Sequence, residues 1–213
     1  MIAIVNYKMG NLQSIANAIK ILGAEAEIAE KPEDLEKAEG IIIPGVGAFK
    51  DGMENLRKAG FIEALNNEVL EKKKPFLGIC LGMQLIAKKS FEYGEHKGLG
   101  WVDFNVCRIE PSSPSFRIPH MGWNNLELRG DGGKLFKGIK EPAVVYFVHS
   151  YHLTPLSEAD ENAITSTCYH GAAITASLEK ENIFGTQFHP EKSQNTGLTM
   201  LKNFIDLTKA PVC

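Results

Sequence analysis

The chain lacks a strong charge of either sign, a cysteine framework, any long apolar run and any composition-biased tract. Over 213 residues, 23 basic side chains stand against 26 acidic ones, for a formal charge of −3. Such a surface offers no basic field for nucleic acid or anionic lipid. The 4 cysteines have no regular spacing, which argues against a disulfide framework and against zinc-ligand pairs, so no metal and no other cofactor is expected. No apolar stretch approaches a membrane span. The Ile2-Ala3-Ile4-Val5 run is too short for a signal segment and lacks a basic start. A cytoplasmic chain with reduced thiols is therefore expected. No Gly-Lys-Ser/Thr phosphate loop occurs, and Gly45-x-Gly47 lacks the third glycine of a dinucleotide fingerprint, since position 50 is Lys50. With no linker, internal repeat or low-complexity tract, residues 1–213 read as one domain able to bury a substantial core. Lys72-Lys73-Lys74 before Pro75 reads as the solvated end of a helix.

Against this plain background, Phe76-Leu77-Gly78-Ile79-Cys80-Leu81-Gly82-Met83-Gln84 stands out. A buried-type run meets Gly-x-Cys-x-Gly and continues in helical spacing through Leu85 and Ile86. That is the sequence form of a nucleophile elbow, a strand and a helix joined by a strained turn with Cys80 at its tip. A thiol at a helix N-terminus is favoured as thiolate. Taken alone, the same cysteine also fits as a small apolar packing residue between strand and helix.

A second segment favours the nucleophile. Gly185-Thr186-Gln187-Phe188-His189-Pro190-Glu191-Lys192-Ser193 again follows a strand-like run. A cysteine nucleophile needs a base, and the base needs a third group to orient its ring. His189 and Glu191, two apart across a proline, supply both, giving a Cys80–His189–Glu191 triad; His149 is the competing base, without a carboxylate at a comparable offset. A third segment, Ile41-Ile42-Ile43-Pro44-Gly45-Val46-Gly47-Ala48-Phe49, ends a β-branched run in a flexible loop. Its Gly47 amide and that of Leu81 are the expected oxyanion donors. Cys107, Cys168 and Cys213 read as spectators.

Strands at Ile2–Val5, 25–29, 41–43 and 76–79 alternate with amphipathic helices, one of them carrying Leu12, Ile15, Ala16, Ile19 and Leu22 on one face. This is the pattern of βαβ units and a parallel sheet covered on both faces, with active residues at the carboxyl ends of its strands. The second half reads as further strands, several antiparallel, at 101–109, 125–128, 144–149, 163–169, 173–178 and 183–188. A closing helix is expected over about 195–207, and Pro111–Pro114 is expected to be a surface loop.

The three segments together resemble the triad-type (class I) glutamine amidotransferases over essentially the whole chain. Five stretches in order along the chain, two of them within those segments, narrow the resemblance to glutaminase subunits of imidazole glycerol phosphate synthase. They are Asn6-Tyr7-x-x-Gly10-Asn11-Leu12, Pro44 to Phe49, Pro119-His120-Met121-Gly122-Trp123-Asn124, Phe147-Val148-His149-Ser150-Tyr151 and His189 to Ser193. The resemblance implies a class I amidotransferase-like α/β fold: a central, mostly parallel sheet flanked by helices, with additional antiparallel strands in the second half. It implies hydrolysis of glutamine to glutamate and ammonia, with Gly45, Val46, Gln84, Ser150 and Tyr151 in the substrate pocket. It also implies a heterodimer with a (β/α)8-barrel cyclase subunit, to which ammonia passes for the synthesis of imidazole glycerol phosphate and AICAR in histidine biosynthesis. Pro119, His120, Met121, Trp123 and Asn124 would form the docking loop; by composition alone Trp123 fits equally well as a core residue. Control by the partner's ligand would act through the Gly45-Val46-Gly47 peptide. The alternatives are a glutaminase serving anthranilate or pyridoxal phosphate synthesis, a Cys-elbow hydrolase of esters or lactones, and a non-catalytic regulatory module on the same fold.

Overall fold

The computed structural model describes residues 1–209; Cys213 lies outside them. The first half winds as the apolar spacing requires. β1 (Ile2–Val5), β2 (Ala26–Ala29), β3 (Gly40–Gly45) and β4 (Phe76–Cys80) alternate with α1 (Leu12–Ile21), α2 (Phe49–Lys58) and α3 (Phe61–Leu65), the last running into a π-helical turn at Asn66–Glu71. Parallel pairing puts Ile2 opposite Gly40 and Gly45 opposite Cys80. Because side chains alternate along a strand, each of these strands feeds two cores. Ile41 and Ile43 face α2, α3 and a second sheet, while Ile42 faces α1 and the C-terminal helix. All three isoleucines are fully buried.

The elbow helix α4 (Leu81–Leu85) follows β4, then come β5 (Ala87–Ser90), β6 (His96–Lys97), β7 (Val102–Arg108), β8 (His120–Leu128), β9 (Ala143–His149) and β10 (Tyr151–Pro155). The chain ends with α5 (Glu158–Glu161), β11 (Ile164–Tyr169), β12 (Ala173–Lys180), β13 (Ile183–Thr186) and α6 (Gln194–Thr208). The main sheet runs β2-β1-β3-β4-β13-β12-β11-β8-β9. It is parallel from β2 to β13 and antiparallel beyond. Late in the chain, β13 inserts beside β4, which brings the end of β13 next to the elbow. No helix among the described residues is long and apolar enough to cross a membrane.

One sheet goes beyond the expected fold, and two expectations need correction. A separate four-stranded sheet, β10-β7-β5-β6, covers one face. Of its strands only the 101–109 segment is legible as one, because Ala87–Ser90 and His96–Lys97 are short and polar. The segment expected to be a docking loop is a strand: β8 starts at His120 and pairs with β9 from His120↔His149 to Leu126↔Ala143. Lys74 is no solvated residue either. It is largely covered, donates to the carbonyls of Leu35 and Glu36, and pairs at 2.6 Å with the buried Glu68, which Lys72 reaches at 2.7 Å. A carboxylate buried on the last helical turn recruits the nearest cations, which the run's polarity did not reveal.

Candidate active site

The site begins with a backbone constraint. Cys80 stands at φ 54°, ψ −110°, between β4 and α4. A non-glycine residue in this region is strained and is held there by its surroundings. Those surroundings account for the flanking glycines. A Cβ at Gly78 would lie 2.6 Å from the Gly82 carbonyl oxygen, and one at Gly82 would run into the Ile43 carbonyl. The elbow closes only because both are absent.

β13 carries the partner residues to this point. Past its end, His189 and Glu191 enter a 3₁₀ turn at Pro190–Lys192. His189 Nδ1 lies 2.8 Å from Glu191 Oε1, with both side chains almost fully buried. A carboxylate can only accept here, so Nδ1 carries the hydrogen and Nε2 faces the elbow. Nε2 is buried without a hydrogen-bond partner. Burial works against the charged imidazole, but the adjoining Cys80 side chain and Glu191 outweigh it and raise the pKa of His189 to about 9. The turn is anchored by Ser193, whose hydroxyl donates to the His189 carbonyl at 2.6 Å and accepts from the Tyr146 amide at 3.0 Å.

A cavity of about 280 Å³ opens in front of Cys80. Val46, Gly47 and Leu81 form its wall beside the thiol, and Gln84, Ser150 and Tyr151 lie in the same lining. Gly45 is not in that wall. It is packed under Tyr7 and Leu81, at the end of β3. Gly47 has φ 108°, a conformation that suits glycine. The Ser150 carbonyl is taken by the Ile109 amide at 2.9 Å, and the Tyr151 carbonyl by Gln84 Nε2 at 2.9 Å. These two carbonyls are therefore committed within the protein.

His149 lines the cavity but cannot serve as the base. Its Nδ1 is engaged by the Tyr151 carbonyl at 2.9 Å and its Nε2 by His120 at 3.1 Å. Burial pushes its pKa down to about 3. His120 is likewise buried and stacked on Phe147. Asn124 is bonded to the Tyr169 carbonyl, and Pro119 faces the cavity. Of the expected docking residues, Met121 at 62% and Trp123 at 49% exposure present themselves to solvent. Trp123 is therefore not a core residue; it leans edge-on against Tyr146.

Two residues of the site escaped the sequence reading. Glu92 supplies the carboxylate in the cavity wall and accepts the Phe49 amide at 2.7 Å, at the start of α2, where Ala48 offers no side-chain cap. Nothing around Phe91-Glu92-Tyr93 marks it in one dimension. Gln187 reaches the Cys80 sulfur with its amide nitrogen at 3.7 Å. Its place two residues before His189 was the available signal.

Comparison with known proteins identifies the family of the chain. The family model described as glutamine amidotransferase class-I matches residues 3–207. An imidazole glycerol phosphate synthase subunit HisH 1 of Campylobacter jejuni is 47% identical over 97% of this chain and 100% of its own length. The HisH subunit of Caldanaerobacter subterraneus is 45% identical over 98% and 99%, and HisH 2 of Pseudomonas aeruginosa 42% over 97% and 100%. Among solved structures, a glutamine amidotransferase superposes with TM-score 0.74 at 20% identity, covering 98% of this chain and 99% of that one. The glutaminase domain of Trypanosoma brucei CTPS, with bound acivicin, gives 0.63 at 16% identity, covering 96% and 93%. The chain thus belongs to the class I glutamine amidotransferases, within the group of imidazole glycerol phosphate synthase HisH subunits.

Proposed function

We propose that residues 1–213 form a single amidotransferase domain, the cytoplasmic glutaminase subunit of an imidazole glycerol phosphate synthase, working by a Cys80–His189–Glu191 triad. The observation that carries this reading is the His189–Glu191 pair at 2.8 Å, behind an elbow that presents Cys80 to the cavity. Cys80 gives its proton to His189 Nε2, and the sulfur attacks the side-chain amide carbon of glutamine. The tetrahedral oxyanion is received by the amides of Gly47 and Leu81. His189 then protonates the departing ammonia, and the acyl group remains as a thioester. Water, deprotonated by His189, releases glutamate and restores the thiol.

The cavity chemistry supports an amino-acid substrate. Glu92 places a carboxyl group suited to an α-ammonium group in the wall, while Gly45 acts from beneath, shaping β3 without touching substrate. Ammonia is useful only while unprotonated, so a partner must receive it without exposure to bulk water. A heterodimer with a barrel-type cyclase meets that need, and Met121 and Trp123 on β8 are the anchors of the docking face. His120 and Asn124 contribute from behind by holding the strand rather than by contact. The Gly45-Val46-Gly47 peptide is the element whose rotation would complete or withhold the oxyanion hole.

Glutamate release is measured on the purified chain alone, then with the cyclase subunit and its nucleotide ligand. Negligible release alone with strong stimulation in the complex supports the assignment. High release that ignores this partner retains the triad but moves the chain to another amidotransferase.

A further inference from the structure

A chain of buried hydrogen bonds, apart from the triad, ends on the nucleophile, and one atom fixes its direction. The Tyr151 carbonyl oxygen can only accept, so Gln84 must turn Nε2 toward it, at 2.9 Å. The same nitrogen donates to Gln187 at 3.0 Å, so the atom that meets it there is Oε1. The Gln187 amide nitrogen is thereby left on the other side, 3.7 Å from Cys80 Sγ. Gln187 is fully buried on the run that leads into His189, and its backbone amide is tied to the Ala176 carbonyl at 2.8 Å. Neither side-chain amide is free to flip without setting like against like.

The opposite arm is directed just as firmly. His149 Nδ1 must donate to the Tyr151 carbonyl, so its Nε2 accepts from His120 Nδ1, and His120 Nε2 accepts from Asn124 at 3.2 Å. This pattern needs both imidazoles neutral, and burial keeps them so. The Tyr151 carbonyl is saturated from two sides and holds Gln84 in one orientation.

We propose that Gln187 is a further catalytic residue of this glutaminase site, donating its side-chain N–H to the Cys80 sulfur and so favouring and aiming the thiolate. The inference rests on Cys80 as nucleophile. When the thiol proton passes to His189 Nε2, the electron pair stays on a largely buried sulfur at the cavity wall. An N–H already directed at that sulfur stabilises the charge without any rearrangement. α4 is a single short helix of 5 residues, so its dipole is weak and an explicit donor matters. Gln84 is the positioning residue. With its nitrogen directed at Tyr151 and Gln187, it presents only Oε1 to the cavity and therefore meets a substrate ammonium or amide N–H rather than a carboxylate.

The test uses Gln187→Met, similar in size without a donor, and Gln187→Glu, which keeps the acceptor for Gln84. Iodoacetamide alkylation is followed at the Cys80 peptide by mass spectrometry at pH 7 and pH 10, and glutamine turnover in the cyclase complex. At pH 7 alkylation should slow by about tenfold, the order expected for one charge-assisted hydrogen bond, and at pH 10 it should equal the parent. Turnover should fall by at least about tenfold with KM changed less than about twofold. Where circular dichroism finds Gln187→Met unfolded, Gln187→Glu decides. Folded variants that alkylate like the parent at both pH values, or slow equally at both, overturn the proposal and leave Gln187 a packing residue. Retained glutamate release by Cys80→Ala would instead sink the nucleophile assignment, a separate outcome.

Discussion

The parallel and antiparallel halves of the main sheet are built to different tolerances. Inward of the edge strand β2, strands β1, β3, β4 and β13 are buried on both faces, and the backbone of one element touches the backbone of the next, as Gly82 does with Ile43. Beyond β12, strands β11, β8 and β9 alternate more buried with more exposed side chains, and Gly122 in β8 has nothing within 4 Å of a built Cβ. The first half holds a strained cysteine in place. The second half closes the cavity and offers a face to solvent. Rigidity and access are thus assigned to different strands.

The largest effect is expected at the tip of the parallel half: Cys80→Ala should lower glutamate release by roughly 10³-fold or more, with the fold retained. Turnover near that of the parent would remove the chemistry from the elbow altogether. Next, Gly82→Ala should destabilise by about 3 kcal/mol or more, since backbone would have to move, while Gly122→Ala should cost about 1 kcal/mol for its φ of +124° alone. Urea midpoints would compare the two; equal losses would end the claim of unequal tolerance.

The two halves should also respond oppositely to pH. His189 is raised to about 9, so its contribution to stability is complete below the unfolded value near 6.5 and is lost as pH rises through 9. His120 and His149 are lowered to about 4 and about 3. For them the unfolded chain binds more protons between those values and about 6.5, so stability is full above that range and declines as pH falls. Melting followed from pH 4 to pH 10 should show both slopes. In His149→Gln the acid slope should shrink and the alkaline one persist. Smallest for stability is Trp123→Ala, within about 1 kcal/mol at a half-exposed site. The same change should weaken cyclase binding by roughly tenfold or more by titration calorimetry. Unchanged binding and coupled turnover would remove Trp123 from the docking face.

Legibility in the sequence followed the same divide. β1, β3 and β4 were readable because a short β-branched or apolar run between helical segments fits little besides a strand buried on both faces. Cys80 was readable because two glycines frame it. The cover sheet was not, because β5 and β6 are short and carry lysines whose burial depends on what lies above. Glu92 and His149 could not be placed either: the roles of a carboxylate on a polar turn and of a histidine in a strand depend on partners far along the chain.

The amino-acid sequence by itself determined the alternation that builds the parallel sheet, the strained turn at Cys80 and the proline-linked pairing of His189 with Glu191. Each of these shows in a short stretch of sequence, through spacing, flanking glycines or a fixed proline, even though the turn at Cys80 is held against the distant Ile43 carbonyl. Only the tertiary structure decided that β13 lies beside β4, that β8 is a strand with Trp123 outward and His120 inward, and that Gln187 faces the sulfur. Those facts depend on register between distant strands, where a shift of one residue would reverse every side chain, and register is set by the packing of the whole sheet.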